Sequence, residues 1–159
     1  MDNSHQSYSY AYDVTPFFFE DVNYDGEYEL VIVNTSAGQR WVNSYSIYKK
    51  NQNNGFILIN EAPFNTLDQL STFDHKNRAV DVFSSGGSCT NSNKRYRLIE
   101  GKYILVEFID WDYYSTNNRI ICVKSKYNVV SGERILKSKA ESYWSSEIHD
   151  YIELGTKFY

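Results

Sequence analysis

Arg95-Tyr96-Arg97-Leu98-Ile99-Glu100-Gly101-Lys102-Tyr103-Ile104-Leu105-Val106-Glu107-Phe108 decides the architecture of this 159-residue chain. Two runs rich in Tyr, Ile, Leu, Val and Phe flank Glu100-Gly101-Lys102, and a glycine in a short polar turn is the signature of a β-hairpin. Tyr96 and Leu98 precede the turn, and Ile104, Val106 and Phe108 follow it, spaced as in half-buried strands. The same grammar continues downstream, where Ser131-Gly132-Glu133 predicts a second hairpin between 127–130 and 134–137. Upstream, Asn51-Gln52-Asn53-Asn54-Gly55 reads as a longer connection. Further strands are expected over 17–20, 28–34, 41–50, 56–60, 79–84, 95–100, 103–110 and 118–126. The segment 137–150 is the one place where a helix is expected. Short strands separated by turns predict an all-β protein, an antiparallel β-sandwich or partly open barrel with little helix. The expected organisation is a flexible N-terminal segment, 1–13, followed by a single β domain, 14–159.

Twenty acidic against sixteen basic residues leave a net charge of −4. That balance argues against a nucleic-acid partner, which wants a basic face. Lys94, Arg95 and Arg97 are the only dense basic cluster. No apolar run approaches the ~20 residues of a membrane-spanning helix. The first dozen residues lack the apolar core of a signal peptide, so either a cytosolic chain or a mature exported one is expected. Two cysteines, Cys89 and Cys122, favour the exported form if they pair as a disulfide in an oxidising compartment; the alternative is two unrelated thiols.

Asp21-Val22-Asn23-Tyr24-Asp25-Gly26-Glu27-Tyr28-Glu29-Leu30 carries the clearest chemistry. Oxygen-bearing side chains at Asp21, Asn23 and Asp25 precede a glycine able to turn sharply, the pattern of a calcium loop leading into a strand. The twelfth position, Glu in an EF-hand, is the apolar Ile32, so Glu29 at the ninth is the expected closing ligand. An Asn/Asp/Gly turn without metal is the alternative. A second feature, Phe83-Ser84-Ser85-Gly86-Gly87-Ser88-Cys89-Thr90-Asn91-Ser92-Asn93, predicts a long small-residue loop, fit for docking if Cys89 tethers it and otherwise a plain connection. Catalytic signatures are poor. His5, His75 and His149 are scattered, and Asp110 and Asp112 around Trp111 are expected at a strand end rather than in a glycosidase cleft. Among the many aromatics, Trp41, Tyr113 and Tyr114 are candidate exposed contacts, and the alternative function is a secreted glycan-binding module in which Trp41, Trp111 and Tyr113 stack on sugars.

Taken in order, Phe19 to Leu30 around the aspartate loop, Tyr45-Ser46-Ile47-Tyr48, Phe56, Phe64-Asn65-Thr66-Leu67 and a Ser-Gly-Gly loop before Tyr96 resemble a family of bacterial periplasmic β-proteins. These are related to inhibitors of invertebrate-type lysozyme, and some serve as immunity proteins against peptidoglycan-degrading toxins. The resemblance spans roughly residues 14–126. It implies a β-sandwich-like fold, a structural Ca²⁺, export to the periplasm and a loop that plugs a muramidase cleft, while the poor catalytic signatures lead to the expectation of a protein that is not an enzyme. Its implied calcium positions are Asp21, Asn23, Asp25 and Glu29, with a backbone carbonyl from Glu27. Ser84, Ser85, Gly86, Gly87 and Ser88 match the loop that enters a muramidase cleft, and Tyr96 matches the aromatic after it. The implied partner is a lysozyme-like peptidoglycan hydrolase toxin.

Overall fold

A computed structural model describes residues 16–34, 42–87, 89–117, 119–147 and 150–159. Eleven strands run through them. β1 (Phe17–Glu20), β2 (Glu29–Asn34), β3 (Ser44–Lys50) and β4 (Phe56–Leu58) form a four-stranded sheet in chain order. A 3₁₀ turn at Phe64–Thr66 leads to β5 (Thr72–Asp74), β6 (Ala79–Ser85), β7 (Asn91–Ile99), β8 (Lys102–Thr116), β9 (Arg119–Val130), β10 (Glu133–Ser145) and β11 (Asp150–Phe158), which make a seven-stranded sheet. Every ladder is antiparallel between neighbours in sequence, and neither sheet closes on itself. The fold is therefore the sandwich, not the barrel. Among the described residues no helix is long and apolar enough to cross a membrane.

The deciding hairpin forms with a two-residue turn. Ile99 pairs with Lys102, and Glu100 and Gly101 both take positive φ, 49° and 75°. That backbone matches the right-handed twist of the flanking strands. Ser131-Gly132 repeats the device between β9 and β10, with φ of 52° and 84°. One apolar stripe differs from expectation. A bulge between Arg95 and Tyr96 pairs Tyr96 with Leu105 and Arg95 with Glu107, leaving Val106 unpaired. The extra residue changes the parity of the strand, so Tyr103 rather than the exposed Ile104 packs on the core, while Phe108 is still buried.

The expected helix over 137–150 is absent. β10 and β11 occupy it as paired antiparallel strands, because the aromatic Tyr143 and Trp144 suit a pleated surface and β9 offers β10 a ladder partner. The expected strands 118–126 and 127–130 are one, β9, and β8 continues six residues beyond Asp110 to Thr116.

Val31 of β2 and Ile47 of β3 meet Val80 and Val82 of β6, with Val22, Tyr24, Phe64 and Leu67 filling the layer between the sheets. Phe18, Tyr45, Ile59, Phe73, Tyr96, Leu98 and Tyr103 surround them. Neither group includes a residue of β9, β10 or β11. The far half of the larger sheet therefore projects beyond the main core, with Phe108, Ile121, Cys122 and Val123 as its own buried residues.

Candidate functional site

The acidic loop, 21–28, is wedged between the sheets. Val22 and Tyr24 are core members, and Tyr24 adopts φ 59°. The Tyr24 hydroxyl donates to the carbonyl of Ala79 at 2.5 Å, and the Tyr103 hydroxyl donates to the carbonyl of Val22 at 3.0 Å. Arg78 caps the carbonyl of Tyr24. Burial pushes the hydroxyl pKa values of Tyr24 and Tyr103 above their ordinary value, so both stay protonated donors.

On its outer side the loop turns its oxygens onto its own N–H groups. Asp25 N–H donates to Asn23 Oδ1 at 2.9 Å and to Asp21 Oδ1 at 3.1 Å. Gly26 N–H, at φ 90°, donates to Asp21 Oδ2 at 3.1 Å, and Glu27 N–H donates to Asp25 Oδ1 at 2.8 Å. Glu29 closes the loop: its carboxylate accepts from Asn23 Nδ2 at 2.8 Å and Val22 N–H at 3.2 Å. It is 3 % exposed, and burial, then the neighbouring charge of Asp25, push its pKa up to about 7. A buried carboxylate crowded by two further acids is costly to keep charged. The donor set, all hard oxygen, fits Ca²⁺. In this conformation no three His, Cys, Asp or Glu side chains among the described residues converge as a metal group, so the ion would take oxygens that now serve the loop amides.

The Ser/Gly segment is shorter than expected. β6 runs through Ser85 and β7 begins at Asn91, because Ser84 pairs with Ser92 and Ser85 with Asn91. Only residues 86–90 connect them, with Gly86 N–H donating to Thr90 O at 2.5 Å and Ser85 Oγ donating to Asn91 Oδ1 at 2.8 Å. Gly86 has no room for a side chain, since a Cβ there would sit 2.6 Å from Thr90 O. Cys89 and Cys122 do pair. Their Cα atoms are 5.3 Å apart, and the bridge spans 33 residues, tying the turn to β9 past the intervening β8. Ser88 lies outside the described residues. Tyr96 sits well down β7 from the turn and packs on the core, so the fold does not bring it to the Ser/Gly tip.

The remaining candidates are dispersed. Arg95 is committed to Asp81, at 3.0 Å, and to Asp74, and is not a free member of a basic patch. Asp110 and Asp112 lie within β8 rather than at its end, and Asp112 Oδ1 accepts from Tyr113 N–H at 2.8 Å. Tyr113 and Tyr114 are exposed, Tyr114 reaching Glu141 at 3.2 Å. Trp41, His5 and His149 lie outside the described residues. Sequence reading missed that Val22 and Tyr24, between the ligand positions, anchor the acidic loop in the core. Their apolar bodies at alternate positions were the available signal.

Fold and site together define an antiparallel β-sandwich with an acidic loop between its sheets and a disulfide-pinned Ser/Gly turn at one end. No family model and no curated protein matches the chain. Among solved structures it is similar to a Xanthomonas type IV secretion system related protein, with a TM-score of 0.55 and 21 % identity over 80 % of this chain. The chain spans 60 % of that protein's length, and the likeness is one of fold. A Bacteroides fragilis protein of unknown function aligns over 82 % of this chain and 93 % of its own, at 9 % identity and a TM-score of 0.25.

Proposed function

We propose that this protein is an inhibitor of the immunity type that neutralises a lysozyme-like peptidoglycan hydrolase. The Gly86-Gly87 turn enters the hydrolase cleft together with Ser84 and Ser85 at the end of β6, Ser88 following in sequence. The observation that carries this reading is the Cys89–Cys122 bridge, which holds a narrow, hydroxyl-bearing turn in place before any partner arrives. A tethered turn loses little entropy on docking. Its hydroxyls and N–H groups suit a groove lined with carboxylates, which bulkier side chains could not approach. Fold likeness to a secretion-system related protein supports a setting in which toxins are delivered between cells.

In this reading the acidic loop holds a structural Ca²⁺ through Asp21, Asn23, Asp25, Glu29 and the carbonyl of Glu27. The ion neutralises the buried Glu29 and braces a loop already bonded to the seven-stranded sheet. The disulfide suits an oxidising compartment, and the protein works in the periplasm as a binder rather than an enzyme.

The test starts with capture from lysate of the source organism in millimolar calcium, read by mass spectrometry. A peptidoglycan hydrolase is the expected prey, and its clearing of sacculi should be blocked by the wild-type chain. Ser84 is exposed, so Ser84→Trp should relieve the block at an unchanged melting temperature. Wild-type chain that leaves every captured hydrolase active sinks the reading. Undiminished inhibition by Ser84→Trp moves the contact off the turn.

A further inference from the structure

A concavity lies on the open half of the seven-stranded sheet. Its floor is made by small residues on the two middle strands, and its walls by aromatic residues on the strands either side. Trp111 of β8 stands opposite Lys124 of β9, which stands opposite Ala140 of β10. In the next row of that face Cys122 stands opposite Ser142, which stands opposite Glu153 of β11. Partners across a ladder share a face, so Cys122, Ala140 and Ser142 lie at the bottom of a trough between Trp111 and Tyr151. The trough has a volume of about 320 Å³. A bulge between Glu141 and Ser142 in the β10–β11 ladder, with Gly155 at φ 133° opposite Glu141, bends the β11 wall.

The walls are braced without a ligand. Trp111 packs edge-on against Phe83 with centroids 6.2 Å apart, and Lys124 Nζ lies 5.1 Å from its ring centroid. Tyr151 packs against Trp144 at 5.2 Å. Around the same trough stand an ammonium (Lys124), a hydroxyl (Ser142) and three carboxylates (Glu141, Asp150 and Glu153), of which Glu141 already engages Lys139 and the Tyr114 hydroxyl. Donors and acceptors of both kinds, set among flat apolar walls, match a pyranose, which has adjacent hydroxyls of both roles and an apolar C–H face. The carboxylates disfavour a phosphate-bearing ligand, and Lys124 already occupies the cation–π position on Trp111 that a cationic ligand would take.

We propose that this trough is a saccharide-binding site with room for about one or two pyranose rings. Trp111 and Tyr151 contact the rings, Asp150 and Glu153 accept from sugar hydroxyls, and Lys124 donates to sugar oxygens. Because Cys122 on the trough floor is bonded to Cys89 of the Ser/Gly turn, glycan held here lies beside that turn. The site goes beyond the inhibitor reading and does not depend on it.

Titrating the full chain with tri-N-acetylchitotriose and, separately, cellotriose, by calorimetry and by NMR of the tryptophan indoles, tests the site. At least one of the two should bind saturably and shift the Trp111 indole. Tyr151→Ala and Glu153→Gln, both at exposed positions, should each weaken binding by about fivefold or more without moving the melting temperature. No saturable binding of either sugar at millimolar concentration overturns the proposal. So does binding that both variants leave intact, or saturable binding of an oligolysine peptide lost in Glu153→Gln while neither sugar binds. Sacculus clearing by a captured hydrolase reports the turn separately, so failure of one reading is not failure of the other.

Discussion

The two halves of the seven-stranded sheet are made of the same kind of strand but have different surroundings. β5, β6, β7 and the start of β8 lie against the four-stranded sheet, and there Val80, Val82 and Tyr96 join Val31 and Ile47 in a closed layer. Among the described residues nothing of that kind covers the end of β8 with β9, β10 and β11, and Tyr113, Ile120, Val130, Ile135, Trp144 and Leu154 are exposed. Identical backbone pairing thus supports two jobs. The covered half supplies the hydrophobic stabilisation, and the open half carries the disulfide anchor, the aromatic trough and a long edge at β11. Loops and faces that bind are commonly mounted on a scaffold that is stable without them.

The largest expected effect tests whether stability resides in the covered half. Ile47→Ala removes a side chain that is 0 % exposed and should cost about 2–5 kcal/mol by chemical denaturation. A cost under about 1 kcal/mol would place the main core elsewhere.

Next is the link between the halves. Replacing Cys89 and Cys122 together by Ser frees a 33-residue span and should lower stability by about 2–4 kcal/mol. Hydrogen exchange should then accelerate first around residues 86–90. Uniform acceleration across both sheets would mean the bridge supports the whole sandwich rather than the turn.

Calcium gives a third and smaller contrast. At a free concentration a hundred times its dissociation constant the ion should add about 2.7 kcal/mol, and less at lower occupancy. Excess EDTA should therefore lower the melting temperature. Glu29→Gln should abolish that response yet leave the metal-free protein no less stable, because it removes a buried charge placed near Asp21 and Asp25. A melting temperature indifferent to EDTA removes the calcium assignment.

The smallest effect sharpens the comparison from the other side. Ile135→Ala, at a position 46 % exposed on the open half, should stay within about 0.5 kcal/mol of wild type. A loss resembling that of Ile47→Ala would show that a partner or a further segment covers this face.

Much of the fold was legible because hairpin chemistry is local. Glu100-Gly101 and Ser131-Gly132 announce turns that need positive φ, and the runs beside them have strand composition. The acidic loop was legible for the same reason: its oxygens, its glycine and the strand it enters are contiguous. Residues 137–150 were not, since serines and aromatics without a clear period left the choice to the ladder partner offered by β9. Tyr96 misled for a related reason. Its nearness to the Ser/Gly turn in sequence is cancelled by an extended strand, which carries it about 3.3 Å further away with each residue.

By itself, then, the order of residues determined the all-β class, the turn positions and the oxygen-rich make-up of the acidic loop. All of these depend on neighbours within a few residues or on composition. Tertiary structure decided that the sheets stack rather than close, that Val106 is a bulge residue, that Cys89 reaches β9, and that Trp111 and Tyr151 border one concavity. Those outcomes depend on register between strands distant in the chain, and a shift of one residue would turn every such side chain to the opposite face.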